Sequence, residues 1–543
     1  MSLDPLTSNL GQLRAKHLLR RCLFHYNNVL LSEVSNLTAA DAIDQLLLDD
    51  TISYNEPYDP MPLDAPHGYW LSSGVYPPDI QNQPRKRALL SAWWWYNMIN
   101  RANLKDKLTF FLHTTFTIAS GDVGASHYFY DHLRLLEFYS EGNLRELAKK
   151  ITLDNAMLNY LDNTQNNANN PNENYAREFL ELFTITKGEQ VGEGDYTTYT
   201  EQDVIETAKV FSGFKTMLDR SIIDPDTNIP MGRLSINQHD QGVKTFSYAF
   251  DNYELTGGNS EETIFNELHE FVDMVFNKEA TALAYVKKLY RFFVKSEWDQ
   301  EVENTILLPL AQQLYQENYN ILPVVKRLLK SQHFFDAADS DSTDEILGSI
   351  VKSPIQLLSS TITNLGFSIP SPEDDMENYY KFSINFLRNT YFPMSGMNLF
   401  APDTVAGHPA IYQSPDFDRH WFSSSTILAR YRLIECLITG RNKLGGNGQF
   451  GSELDTVSFV ENTSANPGNI YYLIDEIANI LYPNPIATAR VNYFAELILE
   501  DYPSYYWTDT WDEYLATGEN TTVKNRLDLL IGAMINAPEY QLM

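Results

Sequence analysis

The segment Asn172 to Phe183 reads Asn-Glu-Asn-Tyr-Ala-Arg-Glu-Phe-Leu-Glu-Leu-Phe and sets ionisable side chains into an apolar background. On a helix, Glu178 and Glu181 are three apart, and Arg177 is four from both Glu173 and Glu181, so all share one stripe. Ala176, Phe179, Leu180, Leu182 and Phe183 flank that stripe, and carboxylates drawn into such surroundings must be paired, protonated or bound to metal. Two outcomes follow. Either Arg and Glu form a structural network that locks helices together, or Glu178 and Glu181 act as a general acid and base or as metal ligands, with Arg177 orienting them or binding an anion. The Glu-x-x-His pattern of carboxylate sites in helical bundles is missing, because the residue three after Glu178 is Glu181.

Histidines supply the other candidates. His113 lies between Phe111 and Phe116 on an apolar helix, as a hydrogen-bonded core residue or as a metal ligand beside Glu178 and Glu181. His239 and Asp240 fall in a polar loop with Lys244 nearby, where they serve as ligand, proton carrier or anion clamp, or simply organise a turn. If His113, Glu178, Glu181, His239 and Asp240 converge on one cavity, the chain is a metal-assisted or carboxylate/histidine acid-base enzyme of hydrolytic type, and a divalent metal is its expected cofactor. The alternative is a non-catalytic scaffold or binding module whose aromatic loops, Tyr54 to Tyr76 and Tyr391 to Trp421, recognise a protein or glycan. No Gly-x-Ser-x-Gly elbow, Walker loop, His-Glu-x-x-His or Cys-x-x-Cys occurs, and Gly445-Gly446-Asn447-Gly448 follows no predicted strand, which argues against a phosphate cradle.

These residues need helices to hold them. Apolar residues recur at helical spacing from Leu10 to Leu48, predicting two helices, and again from Arg85 to Met157. Trp93, Trp94 and Trp95 cannot all face one side of a helix, so that segment must be enclosed on several sides. Asn172 is a predicted N-cap, and Thr200 opens a further helix with Asp203 at its third position. Helices are also predicted over Glu261 to Phe276, Lys278 to Lys295, Glu301 to Glu317, Ile321 to Ser331 and Ser423 to Leu437, and Thr245 to Phe250 has strand character. The expected fold class is mainly α: a large multi-helix, bundle-like core with long irregular aromatic-rich loops and at most minor β hairpins. Residues 1–445 read as the main helical domain, with irregular insertions at about 54–84, 215–260 and 391–420, and residues 446–543 as a C-terminal helical segment packed on it.

Composition narrows the partners. The 543 residues carry a formal net charge of -31, which repels phosphate backbones, so nucleic acid is excluded as a partner. Cys22 and Cys436 are too few for a disulfide framework and are expected to be buried thiols. The start, Met-Ser-Leu-Asp-Pro, has no basic region followed by an apolar run, so a cytoplasmic location is expected, with an extracytoplasmic one left open. The apolar stretch Ala88 to Ile99 falls short of the roughly 20 residues of a membrane span.

Several segments together resemble a known family. They are His17-Leu18-Leu19-Arg20-Arg21, Phe111 to Phe116, Asn172 to Phe183, Tyr199 to Val204 with Ser212-Gly213-Phe214, His239-Asp240 with Lys244-Thr245-Phe246, and Val405-Ala406-Gly407. In this order, and over most of the chain, they are similar to the bacterial family known as domain of unknown function 1800. The resemblance implies one large, mostly helical unit and a partner resembling alkaline phosphatases and sulfatases, but no assigned activity. Three positions depart from the family pattern. His25 and His408 stand where a Gly and a Trp are usual, and the Trp-His-Asn-His-Phe block keeps only His113, with Leu112, Thr114 and Thr115 replacing its neighbours.

Overall fold

Trp93, Trp94 and Trp95 are exposed by only 6%, 7% and 1%, so the helix that carries them, Gln83–Ile99, is covered from several directions, as their adjacency requires. Trp93 meets Tyr130 at 5.6 Å between ring centroids, Trp94 meets Phe400 edge-on at 4.9 Å, and Trp95 meets Phe382 at 6.1 Å. Those partners lie on the helix Ser126–Tyr139, on a turn near residue 400, and on the wide π-helical stretch Lys381–Tyr391. Each ring buries apolar area against a different element, which ties the centre of the molecule together.

The computed structural model describes residues 2–48, 51–59, 68–71, 82–337, 346–446 and 448–543. The fold is mainly α-helical, as expected. Among the described residues, β structure consists of three two-stranded antiparallel pairs: Tyr58–Asp59 with Gly68–Tyr69, Phe214–Lys215 with Arg233–Leu234, and Lys244–Thr245 with Glu254–Leu255. The expected strand Thr245 to Phe250 therefore ends after Thr245, and a 3-10 turn, Tyr248–Phe250, takes its place. Ser247 causes the turn: its hydroxyl accepts the Ala249 N–H at 3.1 Å, a local bond that competes with strand pairing. Much of the 54–84 insertion lies outside the described residues, as does Asn447 of the glycine-rich turn.

The N-terminal region contains three helices, Gly11–Cys22, Asn28–Ser35 and Ala39–Gln45, where two were expected. The extra one is capped by Asn27, whose side chain accepts the Leu30 N–H at 2.9 Å, a short polar signal inside the apolar periodicity. The helix expected to begin after Asn172 begins at Asn174 instead, and Asn172 accepts the Asn174 N–H at 3.0 Å in the preceding turn. Residues 540–543 pack into the interior. Tyr540 meets Thr361 hydroxyl to hydroxyl at 2.9 Å, Arg430 donates to Gln541 at 2.9 Å, and the Met543 N–H reaches the Ile350 carbonyl at 3.0 Å. Both cysteines are free and buried. No helix among the described residues is long and apolar enough to cross a membrane.

Thr200 and Asp203 form the expected capping box at the start of the helix Glu201–Val210. Asp203 does more than cap: its fully buried carboxylate accepts the Thr200 N–H at 2.8 Å, and both the N–H and the hydroxyl of Ser247, at 2.7 and 2.6 Å. Asp203→Ala strands these donors in a dry interior and is expected to lower stability by about 3 kcal/mol. A urea midpoint equal to that of the wild type would show that the cap is dispensable.

Candidate functional site

A cavity of about 180 Å³ opens where four elements meet. The helix Leu104–Thr115 supplies Lys107, Phe110 and Phe111; the end of the 174–183 helix supplies Glu181 and Leu182; the helix Glu279–Phe293 supplies Lys288, Arg291 and Phe292. The fourth wall is the loop from Val405 to Trp421, which holds the short helix Pro409–Tyr412 and the 3-10 turn Phe417–Trp421. Gly407 brings that loop close. At φ +95, a Cβ built there would lie 3.4 Å from the Thr117 hydroxyl oxygen, a conformation that favours glycine.

The 174–183 helix changes pitch as it reaches the cavity. Asn174–Glu178 is α-helical and Phe179–Phe183 is a π turn. A π turn shifts the register of the residues it carries, and the ion pairs follow that shift. Arg177 pairs with Glu173 at 3.1 Å, as its spacing predicts, but its second partner is Glu201 of the next helix at 2.5 Å. Glu181 pairs instead with Lys187 and accepts the Tyr199 hydroxyl at 3.3 Å. The turn also leaves carbonyls to satisfy. Thr184 donates to the Phe179 carbonyl at 2.6 Å, the Tyr285 hydroxyl to that of Phe183 at 2.7 Å, and Lys288 to that of Leu182. Tyr285 and Lys288 are three apart on one helical face, so a single helix closes the turn and sets Lys288 on the cavity wall.

The charges at the wall are unevenly matched. No carboxylate among the described residues forms a salt bridge with Lys107, Lys288 or Arg291. Lys107 is 4% exposed, donates to Gln356 at 2.5 Å, and sits over the faces of Phe24 at 4.4 Å and Phe292 at 5.7 Å. Arg291 stacks over Phe417 at 4.2 Å and Trp298 at 5.1 Å. Burial lowers Lys107 to about 7, and burial together with Arg291 lowers Lys288 to about 7. Both amines can therefore take up and release a proton near neutrality. Asp418, across the cavity, is held by the Ser296 hydroxyl and by the Val351 N–H at 2.7 Å.

Of the candidate catalytic and metal-ligating residues named from the sequence, Glu181 alone lines this cavity. Glu178, one turn earlier, is pushed up to about 7, first by burial and then by the charge of Glu181. His113 is buried edge-on against Phe400 at 4.9 Å and His132 at 6.0 Å between ring centroids. Burial, then His132 and His408, hold its imidazole well below the usual range. Among the described residues, no group of three or more His, Cys, Asp or Glu side chains is arranged to hold a metal ion, so His113, Glu178 and Glu181 do not meet as a ligand set. His239 and Lys244 meet elsewhere, on Glu267: Nε2 of His239 lies 3.0 Å and Nζ of Lys244 2.7 Å from its carboxylate, with all three side chains fully buried. His239 Nδ1 bonds the Ser212 carbonyl at 2.8 Å, and Asp240 accepts the Gly242 N–H at 2.9 Å. This network fastens the 235–260 loop to the helix Glu261–Phe276.

Lys107, Lys288 and Arg291 escaped the sequence reading. Lys105, Asp106 and Lys287 stand beside them, so each reads as an ordinary charged position of an amphipathic helix.

Two substitutions separate structure from chemistry. Glu267→Ala strands His239 and Lys244 and is expected to cost about 3–5 kcal/mol; a melting temperature within error of the wild type would remove the network from the account of stability. Glu178 has the opposite sign. Its folded pKa exceeds its unfolded one, so the native state binds more protons, and its contribution is present below about pH 4.5 and lost as pH rises through about 7. Glu178→Gln is therefore expected to stabilise the protein by about 1–2 kcal/mol at pH 8, after allowance for solvent screening, and to change little at pH 5. Equal effects at both pH values would show that the carboxyl is not held protonated.

No curated protein and no solved structure matches this chain. A family model does, over residues 17–542, and that range contains every wall of the cavity except Met543, the last residue. The chain belongs to the family described as Protein of unknown function (DUF1800).

Proposed function

We propose that this protein is an acid-base enzyme that transfers protons on a small molecule held in the cavity between Lys107, Glu181, Lys288 and Arg291. The observation that carries the reading is the pair of lysines on the wall, each without a carboxylate partner among the described residues and each lowered to about 7 by burial. A proton-transfer group works best with a pKa near the working pH, and perturbed amines in a cleft mark functional sites more often than chance. In this reading the neutral Lys107 amine takes a proton from the substrate or from an attacking water and returns it to the product, while protonated Lys288, beside Arg291, holds the substrate. The aromatic walls keep bulk water from levelling both groups. Glu181, tied to Lys187 and Tyr199, is a fixed negative charge beside the exchange and not a metal ligand.

A scaffold role has one observation in its favour: Tyr471, Tyr472, Tyr493 and Tyr505 on the C-terminal helices, and Tyr502 in a turn between two of them, are exposed by 43–65%. They offer a face for a partner of the phosphatase and sulfatase type that the family resemblance implies. Of the loop aromatics first considered for that role, Tyr54, Tyr391 and Trp421 are buried, whereas Tyr69 and Tyr412 are exposed.

The test is hydrogen–deuterium exchange in D₂O, followed by proton NMR, over a panel of small ketones, keto acids and esters with acidic C–H bonds, alongside hydrolysis of the same esters. Wild type is expected to accelerate at least one substrate class, and Lys288→Met to reduce that rate by about 10²–10⁴-fold while the fold survives. Lys107→Met is expected to act in the same direction. An inactive wild type, or variants with wild-type rates, would overturn the enzyme reading.

A further inference from the structure

We infer that the cavity takes a small organic monoanion, a carboxylate on a single apolar ring or short chain, whose charged head sits between Lys288 and Arg291. The inference deepens the reading of this cavity as the functional site and rests on three observations about its wall.

The first is the charge count after internal pairing. The two side-chain carboxylates that line the cavity each have protein partners: Glu181 has Lys187, which does not line the cavity, and Asp418 has Ser296 and the Val351 N–H. The three lining cations, Lys107, Lys288 and Arg291, have carbonyl, amide or aromatic partners but, among the described residues, no carboxylate in a salt bridge. A protein with a net charge of -31 has ample acid to neutralise them, yet among the described residues none forms a salt bridge with them. Buried charge without a counter-ion is costly, and an anionic ligand removes that cost.

The second is where those cations sit. Lys288 and Arg291 are three apart on one helix, so their heads are neighbours on the same face. A planar guanidinium beside an ammonium suits a carboxylate, which accepts from both. Lys107, on the opposite helix, lies among the rings of Phe24 and Phe292 and marks the passage from the charged end to the apolar one.

The third is the shape and lining of the remainder. Phe110, Phe111, Phe292, Ile411 and Trp421 form the walls, surfaces that favour an apolar body over a second charge. The volume of about 180 Å³ limits its size, since an apolar cavity of about 150 Å³ admits benzene.

The experiment is isothermal titration calorimetry on the full chain with benzoate and phenylacetate as probes, and benzamide and benzylamine as neutral and cationic counterparts. Saturable binding of the carboxylates is expected, at least tenfold tighter than benzamide, with no binding of benzylamine. Lys288→Met and Arg291→Met are each expected to weaken the carboxylates at least tenfold and leave benzamide unchanged. Phe292→Ala keeps every charge and is expected to weaken carboxylate and amide alike, which gives a readout even if a charge variant fails to fold. Benzamide binding as tightly as benzoate, absence of carboxylate binding to the wild type, or folded charge variants with wild-type affinity would each overturn the inference. Charge-selective binding by a wild type that turns nothing over would uphold it while removing the enzyme reading.

Discussion

The wide turn Phe179–Phe183 is the constraint from which the site follows. A π turn inside a dry core presents backbone carbonyls that must find donors, because an unpaired buried carbonyl costs about as much as a lost hydrogen bond. Thr184, Tyr285 and Lys288 provide them. Two of the three come from the helix Glu279–Phe293, so satisfying the turn docks that helix at a set height and rotation. Once docked, it has no freedom to move Lys288, Arg291 or Phe292 away from the cavity. The same turn takes Glu181 out of reach of Arg177 and delivers it to Lys187 and Tyr199.

The cavity is thus built from parts that each have a structural bond and a remaining chemical capacity. Lys288 spends one donor on Leu182 and keeps the others; Lys107 does the same with Gln356. Their low proton affinity comes from where they are, surrounded by phenyl rings and another cation, and not from any unusual partner. This differs from the Glu267 network, where His239 and Lys244 share one carboxylate and the Gly258 N–H adds a bond at 2.6 Å. There the charges compensate one another and leave little for a ligand. A matched buried cluster locks a loop, whereas an unmatched one waits for a partner.

Much of this molecule is legible without coordinates. The helical periodicity, the capping box at Thr200 and Asp203, the enclosure of the three tryptophans and the burial of both cysteines all follow from residue type and spacing, because each depends on neighbours within a few residues or on bulk apolarity. The pairing of Arg177 with Glu173 is equally local. Family membership was also readable, since its motifs recur in order along the chain.

Tertiary structure decided everything that depends on pitch and on distant partners. Spacing along an α-helix could not anticipate the π turn, so the expected pairing of Arg177 with Glu181 gave way to Glu201 and Lys187, contributed by later segments. The partners of the histidines were likewise set by long-range contacts: His239 turns to Glu267, 28 residues on, and His113 to aromatic rings and His132. The cavity lysines look like ordinary helical residues in the sequence, because a pKa is set by burial and counter-charge, and both are properties of the space around a side chain. The sequence by itself determined which helices form and which residues they carry; only their packing decided which cations would be left without an anion.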